Sequence, residues 1–411
     1  IEDTAQAEAA AEATGAAVAR GLRGLGINWN FAPVLDVNNN PANPVIAERS
    51  FGADPHRVAR LAGAWMRGSL REGVACCVKH FPGHGDTHVD SHHALPTVDK
   101  SLEQLEALEL VPFRALAAAA PALMTAHIVY PQLDPEHPAT LSHRVLTGLL
   151  RGSLGYRGVV ISDALMMKAI FDRYGHARAA VMTLAAGADM ALAQGRPEDQ
   201  RAAIEAVGQA LADGRLDAGA MQAARARLDA LADRYPSGGG MYSPAQRAED
   251  EALMRATWAR GLAAFGGATP PARGTPIRVV TQDRVDTDGV SEAGLAAGEV
   301  AALFQDHTDV QMLLVADLSG FDPGTLPGDG RFTILVSNHR KRYAGAAVGW
   351  RPELHLALWN PFQVADIAAP AVVTWGYADG ALAALRAWLL GQEGGQAAAT
   401  GVAPVSLAPH A

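Results

Sequence analysis

Cysteine is nearly absent from this 411-residue chain, which has only Cys76 and Cys77. Two adjacent thiols in the apolar run VACCV cannot frame a disulfide network or a thiolate metal cage, so they are expected to be small core residues. Long apolar runs are missing as well. Charges or glycine break the Ala-rich stretches throughout, and none approaches the ~20 residues a bilayer-spanning helix needs. Basic excess is also lacking, with 34 Lys and Arg against 43 Asp and Glu and a formal charge of -9. That balance disfavours an electrostatic nucleic-acid binder and suits a neutral or locally charged small substrate. No G-x-G-x-x-G or Walker A loop follows a strand-like run, so no nucleotide site is inferred. The first residue is Ile1 rather than Met, so the lack of a leader carries no weight.

What is present is a soluble globular composition, 49% hydrophobic and 19% charged, in a length that implies two or three domains. Up to about residue 235, short apolar runs alternate with longer amphipathic stretches, the pattern of repeated βα units. Strands are expected at 27–37, 73–80, 122–129, 158–163 and 188–193. In a (β/α)8 TIM-type barrel the strand C-termini form the active face, where Asp36, Lys79, His80, His127 and Asp163 would converge. Five strands do not close that barrel, so further strands are expected either unrecognised within the chain or upstream of Ile1. The segment DRYPSGGGMYSP (233–244) reads as a linker, followed by a helix near 245–265. A second alternation places strands at 277–281, 310–318, 332–338, 354–360 and 371–377, with helices at 292–304 and 380–391. This is the pattern of a smaller doubly wound α/β domain. The division is therefore 1–235 for the barrel, 236–265 for linker and helix, 266–391 for the second domain and 392–411 for a loosely ordered tail.

The stretch KHFPGHGDTHVDSHH (79–93) holds five of the chain's 14 histidines. His80, His84, His88 and His92 recur every four residues, which on a helix would stack them like a metal site. Pro82, Gly83, Gly85 and the turn-forming Gly-Asp-Thr argue for a loop instead. Dense polar side chains on a loop point to a site.

Several residues there admit both a structural and a chemical reading. Asp163 ends an apolar strand just before ALMMKAI, where it is either a helix N-cap or a carboxylate nucleophile held ionised by helix N–H groups and nearby cations. Asp90 and His92, two apart, are either solvated loop residues or a carboxylate-oriented imidazole that delivers a proton near neutral pH. Lys79 and His80 either donate to substrate oxygens or form a structural pair. Arg49 is either a substrate clamp or a surface ion pair.

The segments KHFPGHGDTHVDSHHALP (79–96), NFAPVLDVNNNPANPVIAERSFG (30–52) and GVVISDALMM (158–167) resemble glycoside hydrolase family 3, in its β-N-acetylglucosaminidase branch. MTAHIVYPQLDPEHPATLS (124–142) and AAGADMALA (185–193) resemble the same branch, so the likeness spans most of residues 20–230 in unbroken motif order. The C-terminal half resembles the second domain of two-domain members less specifically. The resemblance implies Asp163 as nucleophile, His92 as general acid/base with Asp90 as its partner, and Arg49, Lys79 and His80 as sugar-binding residues. His84, Asp86 and His88 then shape the loop, and His93 has no assigned role.

The implied reaction is double displacement with retention at terminal β-linked N-acetylglucosamine, without cofactor or metal. A neutral histidine base would also admit phosphate as acceptor, which makes phosphorylase-type activity the alternative. A metal-dependent hydrolase using the His/Asp cluster and a non-catalytic sugar-binding protein are the readings from other classes. The family carries an upstream Asp-x-Glu-Gly-Gly segment that this sequence lacks, so an N-terminal truncation of one or two βα units is expected. Muropeptide fragments or chitooligosaccharides are the expected partners, with bacterial wall turnover in the cytoplasm as the expected setting and a secreted form as the alternative. No oligomeric state follows from the sequence.

Overall fold

The computed structural model describes residues 4–88, 91, 94–287 and 293–391, together with 399, 401, 403, 405 and 407. The chain divides into two compact units, Ala7–Arg247 and Ala248–Ala411 with Ile1–Gln6.

The first unit is built on parallel strands β1 (Trp29–Asn30), β2 (Ala75–Phe81), β3 (Ala122–Thr125) and β4 (Val159–Ile161), hydrogen-bonded in that order. A further parallel bridge joins Ile161 to Met190, so the fifth apolar run continues the arc. Helices α1 (Thr4–Gly24), α2 (Pro55–Arg71), α3 (Leu102–Ala107), α4 (Leu110–Leu116), α5 (Lys168–Tyr174), α6 (His176–Ala186), α7 (Pro197–Ala212) and α8 (Ala218–Arg234) precede or follow these strands. The strands are nearly continuous apolar runs because both faces are covered, and the β2 pattern is buried at every position except Lys79. Cys76 and Cys77 lie within that strand as buried free thiols, and burial pushes Cys76 up to about 12.

Local sequence sets the helix starts. Asp54 caps α2 by accepting the Arg57 amide at 2.7 Å, with Pro55 in the first turn. Ser101 and Gln104 form a reciprocal capping box on α3. The core beneath the strands joins Leu35, Val78, Phe81, Leu123, Ile128 and Val160.

The second unit contains β5 (Ala263–Phe265), β6 (Ile277–Gln282), β7 (Val310–Val315), β8 (Phe332–Ser337), β9 (Leu354–Ala357) and β10 (Ala371–Val373), in spatial order β5-β10-β9-β8-β6-β7. All neighbours are parallel except β5, which pairs antiparallel with β10. This is the doubly wound sheet expected from the sequence, with β6 and β8 at the point where strand order reverses. Helix α9 (Pro244–Gly261) precedes β5, while α10 (Ala297–Ala302) and α11 (Asp379–Leu389) complete the unit.

The helix expected to run to residue 265 ends at Gly261, and Ala263–Phe265 forms the edge strand instead. Alanine favours helix locally, but pairing of Ala264 with Val372 prevails there. Among the described residues no helix is long and apolar enough to cross a membrane.

Candidate active site

The polar residues of the first unit gather at the C-terminal ends of its parallel strands. Lys79 and His80 sit where the β2–β3 register shifts between Val78↔Leu123 and Phe81↔Thr125. Two residues there oppose only Met124, a bulge that re-aims both side chains at the strand end. His127 lies two residues beyond β3, and Asp163 two beyond β4.

Asp36 organises the loop that leaves β2. It is completely buried, and its Oδ2 lies 2.7 Å from His80 Nδ1 while Oδ1 accepts the His84 and His80 amides at 2.7 and 3.2 Å. Burial alone would raise the Asp36 carboxyl, but His80 and His84 bring it below the usual carboxylate range. Burial lowers His80 in turn, so the pair is a carboxylate accepting from a neutral imidazole. Nδ1 therefore carries the proton and Nε2 is left as an acceptor for a ligand hydroxyl.

The same loop is clasped from its other side. Asn43 Nδ2 donates to the carbonyls of His84 and Gly85 at 2.8 and 3.0 Å, and Tyr130 donates its hydroxyl to the Gly83 carbonyl. Gly85 is required by space, because a Cβ there would meet the Val37 carbonyl oxygen at 1.6 Å. Asp86 pairs with Lys100 at 2.7 Å, and Asn40 Nδ2 lies 3.3 Å from His88 Nδ1. His84, Asp86 and His88 therefore shape the loop, as their positions suggested.

Asp163 is recessed but keeps part of its surface accessible. It accepts the Ala164 amide at 2.7 Å. Helix α5 begins only at Lys168 with Met167 at its cap position, so Asp163 is not the N-cap of that helix. A turn at Leu165 and Met166 separates the two, which leaves the carboxylate out of a capping role on that helix. Burial would raise its pKa, yet His80, His127, the Ala164 N–H and Lys79 together lower it. A carboxylate kept ionised in a recess is a competent nucleophile.

Burial lowers Lys79, the Arg49 charge lowers it further, and Asp163 opposes both. Arg49 ends the turn Ala47–Arg49, and the next residue ties that turn to Asp36, Ser50 Oγ donating to the Asp36 carbonyl at 2.6 Å. His127 is fully buried, with Nδ1 2.8 Å from Thr140 Oγ1 and Nε2 3.0 Å from the Ala164 carbonyl. A carbonyl only accepts, so Nε2 is protonated in this arrangement.

Of the candidates read from the sequence, Asp163, Lys79, His80 and Arg49 thus act on one another electrostatically, while Asp90 and His92 lie outside the described residues. Asp36 and His127 were legible as strand-end residues without a role. Thr140, Asn43 and Ser91 were missed; only the Asn run VNNNPAN, dense in turn formers, hinted at one of them.

The sequence of the first unit decides the kinship. Residues 2–231 match the family model described as the glycosyl hydrolase family 3 N terminal domain. The chain belongs to glycoside hydrolase family 3. It is 46% identical over 189 residues to Beta-hexosaminidase A of Pseudoalteromonas piscicida, covering 43% of this chain and 32% of that protein. It is 44% identical over 192 residues to a Beta-hexosaminidase of Pseudomonas aeruginosa, covering 47% and 57%. This family 3 chain therefore spans from about a third to just over half of the length of these curated relatives. The solved structure of a glycoside hydrolase family 3 β-N-acetylglucosaminidase from Paenibacillus sp. str. FPU-7 superposes with a TM-score of 0.81 at 33% identity, over 98% of this chain and 81% of that one. Both the barrel-type arc and the doubly wound second unit thus follow the family 3 two-domain architecture.

Proposed function

We propose that the first unit carries the active site of a retaining exo-β-N-acetylglucosaminidase. The observation that bears most weight is the Asp163 carboxylate, recessed and held ionised beside Lys79, His80 and His127 at the strand ends. Asp163 attacks the anomeric carbon and forms a glycosyl ester while His92, oriented by Asp90, gives its proton to the departing glycosidic oxygen. His92 then takes a proton from water, the hydroxide oxygen bonds to the anomeric carbon, and Asp163 leaves as carboxylate. Two inversions at one carbon give net retention. His80 Nε2 accepts a sugar hydroxyl proton, and Lys79 and Arg49 donate to sugar oxygens in the subsite before the cleaved bond. The hexosaminidase and N-acetylglucosaminidase names of the relatives support a terminal N-acetylhexosamine as substrate. Muropeptide or chitooligosaccharide fragments supply the aglycone.

The test is nitrophenol release from the β-N-acetylglucosaminide by the full chain, compared with the β-glucoside and with Asp163→Asn. Turnover is expected for the N-acetyl sugar with retained anomeric configuration by proton NMR, and it should fall about a thousandfold or more in the variant. Turnover that survives in Asp163→Asn, or inversion at the anomeric carbon, would overturn the reading. Repeating the assay in phosphate and scoring sugar 1-phosphate decides whether water is the acceptor.

A further inference from the structure

His127 reaches the backbone around Asp163 from the neighbouring strand. Its Nε2 lies 3.0 Å from the Ala164 carbonyl, and its Nδ1 lies 2.8 Å from Thr140 Oγ1. Thr140 Oγ1 in turn has Thr125 Oγ1 at 2.8 Å and the Ala126 carbonyl at 2.9 Å. His127, Thr125 and Thr140 are all fully buried, where an unmatched polar atom is costly. Two proton arrangements fit these distances. With a neutral ring, Thr140 donates to Nδ1 and accepts from Thr125, and the Ala126 carbonyl keeps the Thr140 amide at 3.2 Å. With a protonated ring, Nδ1 donates to Thr140, whose own proton goes to the Ala126 carbonyl. Both arrangements put a proton on Nε2 and aim it at Ala164. The remaining tautomer, with Nδ1 alone protonated, would set a lone pair against a carbonyl oxygen.

Asp163 stands in neither strand nor helix, since β4 ends at Ile161 and α5 starts at Lys168. Its neighbours are pinned instead. On one side the buried Ser162 donates its amide to the Met190 carbonyl at 3.0 Å and accepts the Leu192 amide on Oγ at 2.8 Å. On the other side Leu165 donates its amide to the Leu192 carbonyl at 3.1 Å. The carbonyl of that same peptide, which belongs to Ala164, takes His127 Nε2 and, at 3.1 Å, the Met167 amide. The fifth parallel segment and His127 thus grip the Ala164–Leu165 peptide by its two polar groups. The peptide before it points its N–H at Asp163 Oδ1, at 2.7 Å.

We infer that His127 is a positioning residue for the Asp163 carboxylate: its Nε2–H fixes the Ala164 carbonyl and with it the turn from which the carboxylate projects. The inference rests on the reading of Asp163 as nucleophile. The role requires no contact between His127 and the sugar; what the imidazole supplies is aim. An attack geometry off by about 1 Å costs on the order of a hundredfold in rate, while a sugar gripped by other residues binds as before.

The experiment uses the full chain with His127→Gln, His127→Asn and Asp163→Asn. The Gln amide reaches the Nε2 position and the Ala164 carbonyl, whereas the Asn amide reaches only the Nδ1 position, toward Thr140. Both substitutions remove the ring, so a role in packing alone affects them alike. For each variant, kcat/KM on 4-nitrophenyl β-N-acetylglucosaminide is set beside the affinity for N-acetylglucosamine by calorimetry. His127→Asn is expected to lose about a hundredfold in kcat/KM, His127→Gln to recover about tenfold or more of that loss, and both to bind the free sugar within about twofold of wild type. Nitrogen NMR of the wild-type histidine rings, which needs neither turnover nor a folded variant, is expected to show His127 protonated at Nε2. Protonation at Nδ1 alone would overturn the role outright. Equal losses in the two His127 variants, no loss in either, or sugar affinity that falls in step with rate would also overturn it, and the nucleophile reading would stand. Turnover that survives in Asp163→Asn, or a folded wild type that turns nothing over, removes the nucleophile reading and the positioning role together.

Discussion

Asp36 and His80 are joined by a buried bond of 2.7 Å between carboxylate Oδ2 and imidazole Nδ1. The other carboxylate oxygen takes the amides of His80 and His84, so one side chain fixes both the ring and the backbone that leaves β2. Asp36→Ala would strand a buried imidazole and two amides, and a stability loss of about 3 kcal/mol is expected in chemical denaturation. Asp36→Asn keeps an acceptor for the amides but can offer its NH2 to Nδ1, which forces His80 into the other tautomer. That variant is expected to fold nearly as well as wild type while KM for the sugar rises roughly fivefold to tenfold, the worth of one hydrogen bond. An unchanged KM would show that the tautomer of His80 does not matter to sugar binding.

Gly85 and Gly208 should respond in opposite ways to the same substitution. A Cβ at Gly85 would lie 1.6 Å from the Val37 carbonyl oxygen, whereas at Gly208, on α7, nothing lies within 4 Å. Gly85→Ala is expected to push the loop from its seat, lowering both the melting temperature and turnover. Gly208→Ala should leave turnover alone and stabilise by about 0.5–1 kcal/mol through helix propensity. Equal melting temperatures for the two variants would mean that the loop does not pack against Val37.

Asp189 ties two arginines and a β4 amide together beside the fifth parallel segment. Its carboxylate lies 2.6 Å from Arg151 and 2.6 Å from Arg227 and accepts the Val160 amide at 2.8 Å. Removing a buried carboxylate leaves its cations uncompensated, so Asp189→Ala is expected to cost about 3 kcal/mol, with the part-exposed Arg227 contributing little. Asp189→Asn keeps the amide bond and should lose less. Equal losses would show that the backbone contact is not what the carboxylate secures.

The barrel-type arc was legible because β2, β3 and β4 are apolar runs ended by polar residues, and that polarity change marks the catalytic face. The doubly wound unit was legible for the same reason, through alternation of apolar runs with helical stretches. Strand β5 was not, because LAAF carries a helical preference that only pairing with β10 overrides. At the site, Asp163 and Lys79 stood out as charged residues closing apolar strands. Asp36 stood out no less, but its task depends on His80 and His84, more than forty residues away, and sequence spacing carries no record of that bond. Thr140 and Ser91 are common residue types whose meaning comes wholly from the imidazoles they face.

Three buried histidines make the chain sensitive to acid. Burial pushes His84 down to about 4, His339 to about 4 and His355 to about 3. Once unfolded, each imidazole takes up a proton near its ordinary value of about 6.5. Between those values the unfolded state binds more protons than the folded state, so stability is full above about 6.5 and falls as pH drops toward 4. Each histidine contributes at most about 3 kcal/mol to that fall, from 1.36 kcal/mol per pKa unit. The melting temperature is therefore expected to drop steeply from pH 7 to pH 4.5. His355 bonds Ser337 Oγ at 2.7 Å through Nε2, and His355→Gln keeps an amide within reach of that hydroxyl while removing the titration. The variant should show a shallower drop than wild type, and an identical pH dependence in the two proteins would show that His355 is not one of the groups driving acid unfolding.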